Sequence, residues 1–426
     1  MKKNTKDILI IGFALFAMFF GAGNLIFPPF LGNAVSSQYL IASIGFICTG
    51  VGLPLLAIIA VTKRGDGTFE SMASKINPKF AVIFATLLFI AIGPMLAIPR
   101  TAATTYELAI QPNFSGVNSF VFMIIYFAIN LIFVLRRSSI IDSIGAYLTP
   151  ILLIILAILI IKGIVFPIGD IVSTNATNVL STSLTEGYQT MDALGGLLFG
   201  AMISVSILEK GYSKEKVIPM TLKCGFIATL GLAFVYGGLM YIGAQTTSIF
   251  TGELTKSNVL LFISKSVLGD FGSVMIGLAI SLACLTTSMG LLSAGASFFE
   301  KLSKGKLTYK FNAIVISIIS IGIGSLGVDH IVVISGPILN VLYPVAITLI
   351  FTTLFDEYIT NIKAVRLGVY TSLVFGILSI IPNIDLSFIP LGSTGFPWLI
   401  PTVIAIIIGY VIFPNRNGST ESSVLE

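Results

Sequence analysis

The first long apolar segment of the chain, roughly residues 8–34, contains a run of residues that a simple membrane-spanning helix avoids. Residues 19–29 read FFGAGNLIFPP, which puts two glycines, an asparagine and two prolines at membrane depth. In a helix interior glycine costs about 1 kcal/mol and proline about 3 kcal/mol, and backbone groups released by a break in hydrocarbon must find other partners. Such a break is tolerated where it lines a cavity. The run therefore predicts a broken first span with a ligand site at the break, as in secondary transporters.

The composition of the chain is that of a protein embedded in a membrane. Charged residues make up 10% of the 426 residues and hydrophobic residues 55%, whereas a soluble domain carries about 25% charged residues. Since about 20 apolar residues cross a bilayer as a helix, we predict an all-α polytopic protein with twelve transmembrane helices in a single membrane domain, residues 1–426. The predicted spans cover about residues 8–34, 38–62, 80–105, 117–135, 140–162, 186–207, 217–244, 269–298, 310–326, 331–354, 366–382 and 389–413.

The positions of lysine and arginine predict which side of the membrane each loop faces. With the N-terminus in the cytoplasm, all but five of the 24 basic residues fall at or near cytoplasmic ends, and an even number of spans returns the C-terminus to the same side. The exceptions are Arg100, Lys162, Lys223, Lys256 and Lys265. The positive net charge therefore reflects topology in a bacterial plasma membrane. We expect the lipid bilayer as the surrounding partner, no nucleic acid, and no obligate protein partner.

Helix-breaking residues recur at similar places in two halves of the chain. Segments one to five, about residues 8–162, carry the glycine run in segment one, and segments six to ten, about 186–354, carry the sequence DALGG at residues 192–196. Because five is odd, the second set enters the membrane from the opposite side, which predicts a 5+5 inverted repeat with discontinuous helices 1 and 6. Helices 11 and 12, about 366–413, are additions outside the repeat. Glycines are common in membrane helices, so a chance alignment is the alternative.

The break in the first span offers two kinds of backbone group to a ligand. The second half-helix begins with free N–H groups at the positive end of its dipole, which favour a carboxylate, and the first half-helix ends with free carbonyls, which favour a cation or an ammonium group. One break therefore suits a zwitterion. The candidate substrate-binding residues here are Gly21, Ala22, Gly23 and Asn24. The alternative is a glycine-rich contact between packed helices.

An aspartate in the sixth segment is the strongest ionisable candidate, because charged residues near the middle of a membrane are functional by default. Asp192 precedes Gly195 and Gly196, which we predict to form the second helix break and to line the substrate site. The carboxylate would bind the substrate ammonium, stabilise a cation or carry a proton. The alternative is an N-cap for the second half-helix.

Three further charged or titratable residues have no assigned role. Arg100 and Glu107 lie at the outer end of the third span, seven residues apart on one helix face, and form either a gate ion pair or a surface pair. His330 falls in a short outer loop, where a lone histidine is more often solvated than functional.

The eighth segment contains three consecutive hydroxyl side chains, Thr286, Thr287 and Ser288. Hard cations bind oxygen ligands, so hydroxyls from this helix and carbonyls from the broken first span would suit Na⁺. The alternative is that these hydroxyls bond back to their own helical turn.

Enzyme motifs are missing from the sequence: it has no HExxH, no P-loop and no Asp-rich diphosphate motif,. We therefore predict a transporter driven by an ion gradient, and not an enzyme or an ATP-driven pump. The coupling ion is Na⁺, or alternatively H⁺ with Asp192 as the proton site and another small neutral amino acid as the substrate. A channel is the alternative from a different class, disfavoured by the broken half-helices.

Four stretches of the sequence resemble one known family. Residues 16–29, residues 99–102 with the following Tyr106 and Glu107, residues 190–194 and residues 282–288 are similar to the signatures of the bacterial branched-chain amino acid:cation symporters. The resemblance covers essentially the whole chain. It implies the leucine-transporter fold and import of leucine, isoleucine and valine by symport.

The same resemblance implies a set of ligands by position. Na⁺ would be bound by carbonyls of Ala17, Phe20 and Ala283 and by hydroxyls of Thr286 and Thr287. The substrate carboxylate would be bound by the amides of Ala22 and Gly23, with Asn24 beside it. Asp192 departs from the leucine transporter, and this difference leaves the mode of coupling open.

Overall fold

The computed structural model of the chain describes residues 3–63, 67–114, 116–136 and 144–413, and all regular structure in these ranges is helical. The predicted all-α class is therefore confirmed. The α-helices are α1 Lys3–Phe19, α2 Ala22–Val35, α3 Tyr39–Ile47, α4 Leu53–Thr62, α5 Phe69–Ala73, α6 Pro78–Ile90, α7 Ile98–Thr105, α8 Ser119–Val134, α9 Thr149–Val165, α10 Val179–Tyr188, α11 Asp192–Glu209, α12 Val217–Gln245, α13 Lys256–Leu268, α14 Gly272–Leu302, α15 Tyr309–Gly324, α16 Val328–Leu354, α17 Ile362–Leu378 and α18 Leu399–Ile412. The start of the predicted span 140–162 and the tail after Phe413 lie outside the described residues.

Seven helical stretches of the described chain are long and apolar enough to cross a membrane. They are Ala22–Thr62, Pro78–Ile110, Ala146–Val165, Val179–Glu209, Lys214–Ser248, Gly272–Leu302 and Val328–Leu354. Three shorter apolar helices are Ser119–Val134, Tyr309–Gly324 and Leu399–Ile412. The chain is thus a multi-pass membrane protein, and the count of twelve spans stays a prediction.

The first span is broken where the glycine run predicts. Helix α1 ends at Phe19 and α2 begins at Ala22, with Phe20 and an extended Gly21 between them. The Asn24 side chain accepts a hydrogen bond of 3.1 Å from the Gly21 amide, which caps the start of α2,. Pro28 and Pro29 do not end this helix but lie within it. The break in the first span therefore lies at residues 20–21, and the two prolines add no second break.

The sixth span is also broken, but not at its glycines. Helix α10 ends at Tyr188 and α11 begins at Asp192, and Met191 between them has a left-handed φ of 66°. The predicted break at Gly195 and Gly196 is therefore wrong, because both glycines are helical. A Cβ on Gly196 would lie 2.8 Å from the Pro54 carbonyl. This glycine permits close packing of α11 on α4 instead of breaking the helix.

Helices α1, α2 and α11 lie in the interior of the bundle, where most of their residues are buried. Phe16 stacks on Phe20 with ring centroids 5.1 Å apart, and Phe20 stacks on Tyr236 of α12 at 6.1 Å. By contrast, α9 and α15 expose apolar side chains such as Ile154 and Ile318 on their outer faces. Both breaks are therefore enclosed by protein, where non-helical backbone at membrane depth is tolerated.

Candidate substrate and ion site

A small buried cavity lies where the two broken spans meet. Its polar lining comes from the first, third, sixth and eighth spans and comprises Asn24, Arg100, Thr101, Thr190, Asp192 and Thr287. Its volume is about 20 Å³, close to the roughly 10–15 Å³ that a single water needs. This conformation is therefore contracted around the breaks, and a larger ligand enters only when the half-helices or their side chains move.

A hydrogen-bonded triad connects the two breaks to α12. The Asn24 side-chain amide donates to Asp192 Oδ2 and to the Tyr236 hydroxyl. The Tyr236 hydroxyl also lies 3.3 Å from the same carboxylate oxygen. The N-cap of α11 is Met191 and not Asp192, so the cap alternative is wrong. The Asp192 carboxylate instead bonds across the bundle, at the lining of the cavity.

Arg100 of the third span is a buried cation at the cavity, although the sequence predicted it in a pair with Glu107 at the outer end of the span. Arg100 is 2% exposed, and its guanidinium donates to the carbonyls of Gln189 at 2.8 Å and Thr190 at 3.3 Å. It therefore stabilises the unwound chain after α10, where free carbonyls favour a positive charge.

The predicted pairing of Arg100 with Glu107 is wrong. The Glu107 carboxylate accepts a hydrogen bond of 2.9 Å from the Val328 amide at the start of α16. Residues seven positions apart are separated by about 10 Å along a helix, and each of these two side chains bonds elsewhere, Arg100 to the chain after α10 and Glu107 to the start of α16. His330 is exposed in the first turn of α16, not in a loop, and does not line the cavity.

Beside the cavity, oxygen atoms of α14 meet the end of α1. The Thr286 hydroxyl lies 3.0 Å from the Ala17 carbonyl oxygen and 2.9 Å from that of Ala283. The Thr287 hydroxyl lies 3.0 Å from the same Ala17 oxygen. The two contacts with Ala17 join α14 to α1, whereas the contact of Thr286 with Ala283 is a bond back to its own turn, so back-bonding accounts for only one of the three,. The Ser288 hydroxyl turns away and accepts from Asn130.

This oxygen cluster contains four of the five predicted cation ligands. A Cβ on Gly21 would lie 3.0 Å from the Thr287 hydroxyl, which places the first-span break directly beside the cluster. Phe20, the fifth predicted ligand, precedes that glycine in the unwound backbone. The cluster consists of neutral oxygens, which suit a monovalent hard cation better than a soft metal. The described residues contain no group of three or more His, Cys, Asp or Glu side chains that would hold a metal ion.

The start of α2 offers backbone donors to the cavity. The Gly21 amide is engaged by the Phe19 carbonyl at 2.8 Å and by Asn24. The next two amides, of Ala22 and Gly23, head the helix and precede its first helical hydrogen bonds,. A Cβ on Gly23 would lie 2.9 Å from Arg100 Nη2 and 3.0 Å from the Phe27 ring. Only glycine therefore leaves room for a guanidinium beside these donors.

Two broken spans that enclose a polar cavity within a helical bundle define a membrane transporter, and solved structures share this fold. The chain superposes on Mhp1, a nucleobase-cation-symport-1 family transporter, with a TM-score of 0.61 at 16% identity over 96% of this chain and 93% of that one. For a Na⁺-coupled sialic acid symporter the TM-score is 0.62 at 17% identity, covering 95% and 90%.

The protein belongs to the branched-chain amino acid transport protein family, whose family model matches residues 4–416. The branched-chain amino acid permease BrnQ of Bacillus subtilis is 36% identical over 433 residues, covering 96% of this chain and 98% of the permease. The family resemblance of the sequence motifs is thereby confirmed, and so is the expectation of a transporter that is not an enzyme.

Proposed function

We propose that the protein imports leucine, isoleucine and valine together with Na⁺ across the bacterial plasma membrane by alternating access. The observation that carries this proposal is the oxygen cluster of Ala17, Ala283, Thr286 and Thr287 beside the first-span break. It joins α1 to α14, so a cation bound there would favour one arrangement of these two helices. The Na⁺-coupled sialic acid symporter, which shares the fold, supports this choice of ion.

The cavity matches the charges of an amino acid zwitterion. The amides at the start of α2 favour a carboxylate, and the Asp192 carboxylate favours an ammonium group. Ala22 and Asp192 line the same cavity, and Gly23 lies beside Arg100, which also lines it. Gly195 lines it too, whereas Gly196 packs against α4. We assign substrate contact to the lining residues Gly21, Ala22, Asn24, Asp192 and Gly195, and also to Gly23, which is not a lining residue but lies beside the Arg100 guanidinium.

We further propose twelve spans with both termini in the cytoplasm. The first repeat covers about residues 8–162, and the second begins earlier than the sequence suggested, at Val179 where α10 starts, and ends near 354. Helices 11 and 12, about 366–413, lie outside the repeat. The discontinuities at residues 20–21 and 189–191, each in the first helix of its repeat, support this arrangement,.

Proton coupling is the second candidate, and the observation that favours it is the buried Asp192 carboxylate in the same cavity. Purified protein in liposomes separates the two. We expect labelled leucine to accumulate under an inward Na⁺ gradient at equal pH on both sides, and not under an inward proton gradient in Na⁺-free buffer. The reverse result would replace Na⁺ by H⁺, and flux without saturable counterflow would indicate a channel.

Removing both hydroxyls of the oxygen cluster tests the ion site. In Thr286→Ala/Thr287→Ala, Na⁺ loses two of its oxygen ligands, so we expect the Na⁺ concentration for half-maximal leucine uptake to rise about tenfold or more, at about 1.4 kcal/mol per factor of ten. The order of preference among leucine, isoleucine and valine should not change. Ser281→Ala is the matched control, because the Ser281 hydroxyl bonds to Gly277 of its own helix. An unchanged Na⁺ dependence in the double variant would remove this site.

Substrate selectivity should come from the apolar lining. The zwitterion contacts are common to all amino acids, whereas Phe19, Ile92, Phe199 and Leu291 also line the cavity. One methylene in an apolar pocket contributes about 1–3 kcal/mol. We therefore expect leucine, isoleucine and valine to compete with similar strength for labelled leucine uptake, alanine to compete far more weakly, and lysine not at all, since its charge would be buried without a partner. Alanine or lysine competing as well as valine would contradict the assigned substrate class.

A further inference from the structure

Arg100 leaves part of its hydrogen-bonding capacity unused, because a guanidinium carries five N–H groups. The two terminal nitrogens of its guanidinium donate to Gln189 and Thr190. Its Nε–H has no acceptor among the described residues, although the atom is fully buried. A buried charged donor without an acceptor is costly. Since Arg100 also lines the cavity, the unused donor indicates that a ligand supplies the missing acceptor.

The surroundings of the guanidinium favour an anionic ligand. Nη2 lies 2.9 Å from the position of a Cβ on Gly23, so the guanidinium faces the first turn of α2. That turn presents the positive end of a helix dipole and the amides of Ala22 and Gly23. Two positive groups side by side repel each other unless an anion is shared between them. Asp192, the acid that lines the cavity, is already bonded to Asn24 and Tyr236.

A carboxylate suits this arrangement better than a spherical anion does. The guanidinium presents planar, parallel N–H groups that bind the two oxygens of a carboxylate together. Asp192 lines the same cavity as a counter-charge for the ammonium group of the same molecule. We propose that Arg100 is a substrate-binding residue whose guanidinium, together with the amides at the start of α2, binds the carboxylate of the transported amino acid. This inference rests on the proposed function.

The competing explanation is that Arg100 only stabilises the carbonyls after α10. Leucinamide distinguishes the two roles, since it keeps the side chain and the amine of leucine but carries no carboxylate. Competition against labelled leucine, in the presence of Na⁺, gives the ratio of leucine to leucinamide affinity. In the parent protein this ratio should be large. In Arg100→Gln we expect it to fall about 10- to 100-fold, as for loss of one charge-assisted hydrogen-bonded contact, and Arg100→Lys should retain part of it.

Lys256 is the matched control for Arg100, because both cations lie near the Phe27 ring. Lys256 Nζ lies 4.5 Å from the Phe27 ring centroid and pairs with Glu186 at 3.7 Å, but it does not line the cavity. Lys256→Gln should keep the parent ratio.

If Arg100→Gln fails to fold, Gly23→Ala replaces it, because the Cβ of the new alanine would displace Arg100 Nη2 while the guanidinium charge remains. We expect the same fall in the ratio there.

The role of Arg100 would be overturned if Arg100→Gln lost affinity for leucine and leucinamide in equal proportion. It would also be overturned if both Arg100→Lys and Gly23→Ala kept the full parent ratio of leucine to leucinamide affinity. These results leave the proposed function standing as long as the parent protein binds leucine in a Na⁺-dependent way. If the parent protein itself binds neither leucine nor leucinamide, the proposed function fails and this inference fails with it.

Discussion

Gly23→Leu should abolish leucine binding while the protein still assembles in the membrane. Even a Cβ at this position would lie 2.9 Å from Arg100 Nη2 and 3.0 Å from the Phe27 ring. The three further carbons of leucine would fill the space in front of the first amides of α2, where we place the substrate carboxylate. Equilibrium binding of labelled leucine to purified protein should weaken by more than about 100-fold, equivalent to about 2.7 kcal/mol.

The control for this variant is the same substitution on an open helix face. Gly322 of α15 is exposed and has no atom within 4 Å of where its Cβ would lie. Gly322→Leu should bind leucine like the parent protein, and both variants should elute as single species in size-exclusion chromatography. Parent-like binding by Gly23→Leu would show that the carboxylate does not lie at the start of α2.

Asp192→Asn should reduce leucine transport about 100-fold, because loss of one partner from a buried charge pair costs roughly 2–5 kcal/mol. The neutral amide can still accept from Asn24 and Tyr236, so the helices remain connected. What disappears is the negative charge that we assign to the substrate ammonium. The measurements are net uptake under a Na⁺ gradient and leucine–leucine exchange at equal Na⁺ on both sides.

The leucine–leucine exchange measurement distinguishes a substrate-binding role of Asp192 from a proton-transfer role. If Asp192 binds the ammonium group, net uptake and exchange should fall together. Exchange at the parent rate with lost net uptake would identify Asp192 as a proton site instead, and parent-like values of both would reduce it to a structural residue. Asp170→Asn is the control, since Asp170 is exposed and the contact it makes with Ser248 uses its backbone carbonyl.

The first-span break was predictable because its causes are local. Glycine at positions 21 and 23, with an asparagine three residues after the first, lowers the cost of leaving the helix and supplies its own cap,. The run of hydroxyls at 286–288 was equally visible, although family resemblance was needed to pair it with the Ala17 carbonyl. The resemblance of these motifs predicted the transport family whose model matches residues 4–416.

The sixth-span break was not predictable from local residues. Its residues, Gln189, Thr190 and Met191, include no glycine or proline. Hydrogen bonds from distant helices stabilise the unwound chain: Arg100 donates to two of its carbonyls, and the Tyr343 hydroxyl donates to the Tyr188 carbonyl at 2.7 Å. The glycines that suggested a break serve helix packing instead, which depends on where α4 lies.

By itself, the sequence determined the membrane-embedded helical class, the discontinuity at residues 20–21 and the residue types available for binding a zwitterion and a cation. These properties follow from hydropathy and from the backbone preferences of single residues. The tertiary structure decided where the second break lies and which charges face the cavity. Arg100 and Glu107 do not pair, because Glu107 accepts from the Val328 amide while the free carbonyls after α10 accept from the Arg100 guanidinium. Such partners are brought together only by packing between helices that are distant in sequence.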